Sequence, residues 1–105
     1  MAEWIKVGEL GDWAPPPGQV KVIMPRGDRI ALCNVDGEYY AIDDVCTHDG
    51  GPLDQGELLG DQIECPRHGA MFDVRTGKAL TLPAIFPIKT YPVKVEGNDI
   101  LVELE

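Results

Sequence analysis

Two short stretches of similar make-up, residues 46–51 and 65–70, constrain the fold of this chain more than any other feature. Each stretch supplies one thiol and one imidazole within four residues, and together they contain two of the three cysteines and both histidines. Sixteen residues separate His48 from Cys65. Thiolate sulfur and imidazole nitrogen are common metal donors. We therefore expect a fold that brings the two stretches together around one metal site.

The length and the charge of the chain limit its class. With 105 residues, the chain is expected to form a single domain, residues 1–105, with one modest core. The net charge of −9, from 9 basic and 18 acidic residues, argues against binding to nucleic acid or to an anionic membrane surface. The same charge favours solubility, and attraction to a protein partner that carries a basic docking patch is the alternative role for it.

Three observations favour a soluble protein of the reducing cytoplasm. The cysteine count is odd, so the cysteines cannot close a disulfide framework. The N-terminal residues lack the charged and apolar regions of a secretion signal. The uncharged stretch 79–88 contains two prolines and is much shorter than the ~20 residues of a membrane span. We expect a cytoplasmic protein that acts as a monomer.

Short apolar alternations bounded by glycine and proline predict an all-β fold, an antiparallel β-sandwich or small barrel. No segment of ten or more residues has the period of an amphipathic helix, whereas Asp36-Gly37 is a strong two-residue hairpin signal. Cys33 lies in phase with Ala31 and Val35, which predicts a buried, inert thiol. The predicted strands are 4–7, 19–24, 29–35, 38–43, 61–64, 71–74, 89–96 and 100–105, with a turn at 25–28 and an irregular segment at 50–60.

The order of the donors bears on which metal the two stretches would hold. Structural zinc sites with two cysteines and two histidines favour pairing of like with like at close spacing. Here each stretch mixes one cysteine with one histidine, and a single residue separates Cys46 from His48. An iron–sulfur centre in which two cysteines hold one iron and two histidines hold the other suits this mixed pairing better. Zinc is the main alternative.

The two stretches, with three segments that follow them, resemble the sequence pattern of the Rieske [2Fe–2S] family. The matching residues are Cys46-Thr47-His48, Cys65-Pro66-Arg67-His68-Gly69, Phe72-Asp73, Thr76-Gly77 and Leu82-Pro83-Ala84. The resemblance implies one [2Fe–2S] cluster per chain, held by loops at about 44–53 and 64–71 and covered by a proline loop at about 81–87. It implies four residues that bind both metal and cofactor: Cys46, His48, Cys65 and His68.

This chain departs from the high-potential members of that family at positions around the cluster. Those members carry two cysteines, joined as a disulfide, where Gly51 and Arg67 stand here. They also place a hydroxyl group where Ala70 stands, and often a tyrosine hydroxyl near Phe72. Each missing hydrogen bond removes stabilisation of the added electron. The resemblance therefore implies a potential near the low end of the Rieske range, roughly −150 mV.

The resemblance implies a soluble one-electron carrier rather than an enzyme, and the sequence has no evident constellation of catalytic acid, base and nucleophile. Rieske-type ferredoxins pass electrons from a flavin-dependent reductase to a terminal non-haem iron oxygenase, so these two proteins are the expected partners. The alternative with the same fold is the small subunit of an assimilatory nitrite reductase, a family in which the four ligands are often absent. A zinc-bound structural module is a third interpretation.

We predict that the purified protein is red-brown and that its reduced state gives an EPR signal whose average g value lies below the free-electron value. This signature comes from a reduced cluster with mixed cysteine and histidine ligands, and zinc cannot produce it. Visible and EPR spectra of the protein as isolated and after reduction test the prediction. A colourless protein without this signal would contradict the iron–sulfur interpretation.

Overall fold

The computed structural model describes residues 2–47, 50–67 and 69–105, which form an almost entirely β structure. No helix within these ranges is long and apolar enough to cross a membrane. A 3₁₀ turn, Pro25–Gly27, lies where the sequence predicts a turn. The strands are β1 (Glu3–Glu9), β2 (Val20–Ile23), β3 (Ile30–Val35), β4 (Glu38–Asp43), β5 (Leu58–Leu59), β6 (Gln62–Glu64), β7 (Met71–Asp73), β8 (Thr90–Tyr91), β9 (Val93–Glu96) and β10 (Asp99–Leu104).

The described strands form three sheets. The first sheet has the order β1-β10-β9, the second β2-β3-β4-β8 and the third β5-β6-β7. Neighbouring strands are antiparallel in every sheet. The all-β, antiparallel fold predicted from the sequence is confirmed.

Strand β3 is central to the packing because both of its faces are buried. Ala31 and Cys33 belong to one apolar cluster, which also contains residues of the third sheet. Ile30 and Leu32 belong to a second cluster, which also contains Ile100 of β10 in the first sheet. Neighbouring residues on a strand point to opposite faces, so a single strand serves two cores. The second sheet therefore lies between the other two.

The β3–β4 hairpin turns at Asp36-Gly37, as the sequence predicts. Both residues have positive φ angles, 52° and 94°, which a type I′ turn requires. The buried side chain of Asn34 supports the turn, since its Oδ1 accepts a hydrogen bond from the Gly37 N–H at 2.7 Å. Its Nδ2 donates to the Pro15 carbonyl oxygen at 2.8 Å. Both ends of the buried amide are thus satisfied.

Two predicted segments differ from the structure. The strand predicted over 89–96 is divided at Pro92 into β8, which pairs with β4, and β9, which pairs with β10. Proline has no N–H to donate to a strand ladder, and the chain changes from the second sheet to the first at this residue. The segment 50–60, predicted as irregular, contains β5, which is too short to give a periodic signal.

Gly77 joins β7 to the end of the loop 79–88. Its N–H donates to the Asp73 carbonyl oxygen at 2.7 Å, and its carbonyl oxygen accepts a hydrogen bond from the Ile88 N–H at 2.8 Å. Its φ is +81°, and a Cβ atom here would lie 2.1 Å from the Ile88 carbonyl oxygen. Glycine therefore provides both the backbone conformation and the space that this contact needs.

We expect Gly77→Ala to reduce the free energy of unfolding by about 3 kcal/mol or more, since a clash with a carbonyl oxygen adds to left-handed backbone strain. Gly18→Ala is the matched control, because Gly18 has the same φ of +81° and its Cβ would meet nothing within 4 Å. There we expect only the backbone strain, about 1–2 kcal/mol. Urea unfolding followed by circular dichroism measures both losses, and equal losses would contradict the close-approach argument.

Candidate metal centre

Two backbone hydrogen bonds close the first cysteine loop, residues 46–51, around Cys46. The Cys46 N–H donates to the Gly51 carbonyl oxygen at 2.7 Å, and the Cys46 carbonyl oxygen accepts from the Gly50 N–H at 2.7 Å. Gly50 has a φ of 76°, a conformation that glycine adopts without steric cost. The loop therefore folds back on itself with the cysteine at its start.

The second cysteine loop, residues 65–70, repeats this arrangement around Cys65. The Cys65 N–H donates to the Ala70 carbonyl oxygen at 2.7 Å, and the Cys65 carbonyl oxygen accepts from the Gly69 N–H at 3.0 Å. Gly69 has a φ of 72°. Each loop has a glycine of positive φ at the fourth position after its cysteine, so the similarity seen in the sequence is also a similarity of backbone structure.

The thiols of both loops lie in the protein interior. Cys46 is 0% and Cys65 is 1% exposed, and both belong to the apolar cluster between the second and third sheets. His48 and His68, the other predicted ligands, lie outside the described residues. Among the residues that are described, no three His, Cys, Asp or Glu side chains are grouped to hold a metal ion.

Different interactions hold the bases of the two loops. The second loop ends a β-hairpin, in which Glu64 of β6 pairs with Met71 of β7. At the first loop, the buried side chain of Asp44 connects the two ends of the segment 44–54, which contains the loop. Its Oδ1 accepts hydrogen bonds from the N–H groups of Leu53 at 2.9 Å and Asp54 at 2.7 Å.

Arg29 forms a hydrogen bond with the other oxygen of the Asp44 carboxylate. Its Nε donates to Asp44 Oδ2 at 2.6 Å, and its Nη2 lies 3.3 Å from Asp54 Oδ1. The Asp44 side chain is 0% exposed and that of Arg29 is 49% exposed. Burial raises the pKa of Asp44, whereas the hydrogen bonds from the Asp54 N–H and from Arg29 oppose this rise because they stabilise the carboxylate.

The loop 79–88 forms hydrogen bonds with the first cysteine loop and with Met71, the residue that follows the second. Thr47 Oγ1 donates to the Phe86 carbonyl oxygen at 2.7 Å. At the end of the second loop, the Met71 N–H donates to Thr81 Oγ1 at 2.9 Å, and the Met71 carbonyl oxygen accepts from the Leu80 N–H at 2.8 Å. The proline-containing loop thus lies against the segment that the family resemblance assigns to the cluster.

The two sides of this loop differ in exposure. Ala84 is 4% exposed and belongs to the same apolar cluster as the two cysteines. In contrast, Leu82, Ile85 and Phe86 are 78%, 68% and 63% exposed. Three large apolar side chains within five residues are therefore presented to solvent beside the first cysteine loop.

The residues around the thiols fit a Rieske centre that lacks the features of high potential. Ala70 and Phe72 are fully buried, and neither side chain carries a hydroxyl group. The three cysteines, all within the described part of the chain, are unbridged, and Gly51 and Arg67 occupy the positions of the additional disulfide. Two buried thiols at matching points of two similar loops fit the cysteine-bound iron of a [2Fe–2S] cluster.

The third cysteine is separate from both loops. Cys33 lies on β3 with 0% exposure, as predicted. Burial raises the pKa of its thiol to about 12, so the protonated form prevails at neutral pH. A protonated thiol is a poor metal ligand and nucleophile.

Sequence reasoning did not find three side chains that hold the loops: Arg29, Asp44 and Thr47. An aspartate just before a loop is a general signal for bonding to backbone N–H groups. Asp43 carries the same signal, yet its carboxylate accepts a hydrogen bond from the Tyr91 hydroxyl instead. Only the structure distinguishes the two neighbours.

Comparisons with known proteins agree with this reading of the site. The sequence model of the Rieske [2Fe-2S] domain matches residues 3–92. The biphenyl 2,3-dioxygenase ferredoxin component of Rhodococcus jostii (strain RHA1) is 45% identical over 100 residues, which are 95% of this chain and 92% of that protein. The solved structure of the Sphingomonas yanoikuyae B1 ferredoxin is similar with a TM-score of 0.89 at 33% identity, over 98% of this chain and 100% of that one.

Two further solved structures bear on the choice between an oxygenase system and nitrite reduction. A chain from the complex of reduced oxygenase and oxidized ferredoxin in carbazole 1,9a-dioxygenase has a TM-score of 0.86 at 35% identity, over 94% of this chain and 91% of that one. A protein described as the small subunit of a nitrite reductase has a TM-score of 0.80 but only 22% identity, over 95% and 97% of the two chains. The second likeness shows the fold alone. The chain therefore belongs to the Rieske [2Fe–2S] family, holds one [2Fe–2S] cluster and is a one-electron carrier of the ferredoxin type.

Proposed function

We propose that this chain passes electrons, one at a time, from a flavin-dependent reductase to the terminal oxygenase of a ring-hydroxylating dioxygenase system. The observation that carries the proposal is the complete Rieske pattern in a chain that matches dioxygenase ferredoxin components over almost its whole length. The proposal includes a cytoplasmic location, a monomeric carrier and a single domain over residues 1–105.

We propose Cys46, His48, Cys65 and His68 as the four ligands. The two cysteines would hold one iron as thiolates, and the two histidines would hold the other as neutral imidazoles. The matching backbone hydrogen bonds and the burial of both thiols support this assignment. A cluster bound in this way can accept and release one electron. The described part of the protein supplies an apolar surrounding for the two thiols.

Either histidine-to-cysteine substitution, His48→Cys or His68→Cys, is predicted to lower the reduction potential by roughly 100 mV or more if a cluster assembles. The reason is that a thiolate adds negative charge where a neutral imidazole stood, and this charge opposes reduction. A redox titration followed by visible absorbance measures the shift. Cys33→Ser is the control and should keep the wild-type potential. Unchanged potentials in both histidine variants would mean that the ligand assignment is wrong.

The proposal includes a potential near the low end of the Rieske range, roughly −150 mV. Gly51 and Arg67 cannot supply the disulfide of the high-potential members, and Ala70 and Phe72 cannot donate a hydroxyl hydrogen bond. Buried apolar groups at both of the latter positions leave no side-chain donor there to stabilise the added electron.

We propose the outer side of the loop 79–88 as the surface that docks on the oxygenase, and we call its exposed residues Leu82, Ile85 and Phe86 the apolar face. No charged residue occurs in 79–88, although the chain as a whole carries a net charge of −9. The bond from Thr47 to the Phe86 carbonyl oxygen fixes the apolar face beside the first cysteine loop. A partner with an apolar centre and a basic rim would match this distribution.

Reconstituted electron transfer tests the proposal. We expect product formation by a biphenyl-type terminal oxygenase and a flavin reductase to depend on addition of this chain. Ile85→Glu should slow oxygenase reduction by about tenfold or more, because it places a charge in an apolar contact. Its visible spectrum and reduction potential should match those of the wild type.

Val95→Glu is the matched control for the apolar face. Val95 is 44% exposed and lies on β9 of the first sheet, which contains neither cysteine loop. Equal rates for the two variants would contradict docking through the apolar face. Transfer to a sirohaem nitrite reductase, without transfer to any dioxygenase component, would overturn the proposed function.

A further inference from the structure

We infer that Arg29 and Asp44 are positioning residues that clamp the first cysteine loop shut and thereby control how long the cluster is retained. The inference rests on Cys46 as a cluster ligand but not on which protein receives the electron. The two cysteine loops have matching internal hydrogen bonds, but different interactions hold their ends together.

The second loop is held at its base by strand pairing. Three consecutive pairs join β6 and β7, namely Gln62 with Asp73, Ile63 with Phe72 and Glu64 with Met71. Opening this loop requires the loss of backbone pairing around the fully buried Ile63 and Phe72. The third sheet therefore resists separation of the two ends of this loop.

Among the described residues, the side chain of Asp44 connects the two ends of the first loop. Asp44 precedes Cys46 by two residues. Its Oδ1 accepts hydrogen bonds from the N–H groups of Leu53 and Asp54, which lie beyond the far end of the loop. The residues at 44 and 54 are not paired as strands in the described structure. The carboxylate thus connects the start and the end of the segment in place of a strand ladder.

Arg29 completes the clamp from the protein surface. Its guanidinium contacts both Asp44 and Asp54, at 2.6 and 3.3 Å, so one cation bridges the carboxylates at the two ends of the segment. Without this cation the fully buried carboxylate of Asp44 would lose its charge partner, which is costly in an apolar surrounding. The Asp44 N–H also donates to the Arg29 carbonyl oxygen at 3.1 Å, which anchors the clamp beside the start of β3.

Two consequences follow from this arrangement. Amide hydrogens of the first loop should exchange faster than those of the second, because a half-exposed guanidinium is easier to displace than three strand pairs. Loss of the clamp should free Cys46 and accelerate cluster loss, with the three sheets still folded.

The test compares Arg29→Gln with Arg75→Gln in the cluster-loaded protein. Arg75 is a matched control, since it is 51% exposed and also contacts two carboxylates, those of Asp61 and Asp73. Both of its partners lie at the end of the β6–β7 hairpin away from the cysteine. We measure bleaching of the visible absorbance in excess iron chelator, and deuterium exchange of peptides covering 44–54 and 62–73.

Arg29→Gln should bleach at least about tenfold faster than the wild type and exchange faster only in 44–54. Arg75→Gln should match the wild type in bleaching and in the exchange of 44–54. Arg29→Lys restores the charge but cannot reach both carboxylates with the same geometry, so its bleaching rate should be intermediate. Asp44→Asn keeps an acceptor for the two N–H groups while it removes the charge partner of Arg29, and it should also bleach faster than the wild type.

Equal bleaching of Arg29→Gln and Arg75→Gln, or equal acceleration of exchange in both loops of Arg29→Gln, would overturn the clamp. The failure of the ligand assignment would look different, because Cys46→Ser would then retain a wild-type cluster. The failure of the oxygenase proposal would leave all of these rates unchanged.

Discussion

The closure of two loops around buried thiols is the constraint on which the rest of this structure depends. A loop whose cysteine is withdrawn from water must satisfy its own backbone polar groups, and both loops do so with the same pair of hydrogen bonds. The glycines with positive φ, Gly50 and Gly69, make that closure possible. The sheets then hold the loops in place, and β3, buried on both faces, joins the layers next to the two cysteine loops to the first sheet.

Much of the fold could be predicted because it depends on local patterns. The Asp36-Gly37 turn and the alternation of Ile100, Val102 and Leu104 are signals that lie within a few residues of one another, and the structure agrees with both. The division of 89–96 at Pro92 was missed, since a change of partner sheet is decided by distant strands. The two cysteine stretches were expected to come together, and both thiols lie in one apolar cluster. The Arg29–Asp44 contact, in contrast, spans fifteen positions and has no local signature.

If the apolar face docks on the oxygenase as we propose, the charge distribution separates long-range attraction from contact. A net charge of −9 acts over distances comparable with the Debye length and is weakened by salt. The apolar face, as the proposed docking surface, would act only on contact, and it carries no charge to be screened. A carrier that must bind, transfer an electron and leave benefits from this division, because long-range attraction raises the encounter rate while a small contact area permits rapid release.

The strand β10 lies beyond the residues that match the Rieske domain model. The Rieske model ends at residue 92, yet β10 is the middle strand of the first sheet and pairs with β1 from Glu3 to Glu9. Its buried residues Ile100 and Val102 cover the face of β3 that carries Ile30 and Leu32. A segment cut at residue 92 would keep both cysteine loops and leave β1 without β10, the strand with which it pairs. The folded unit needed to graft this electron carrier onto an electrode or another protein is therefore longer than the part of the sequence that matches the domain model.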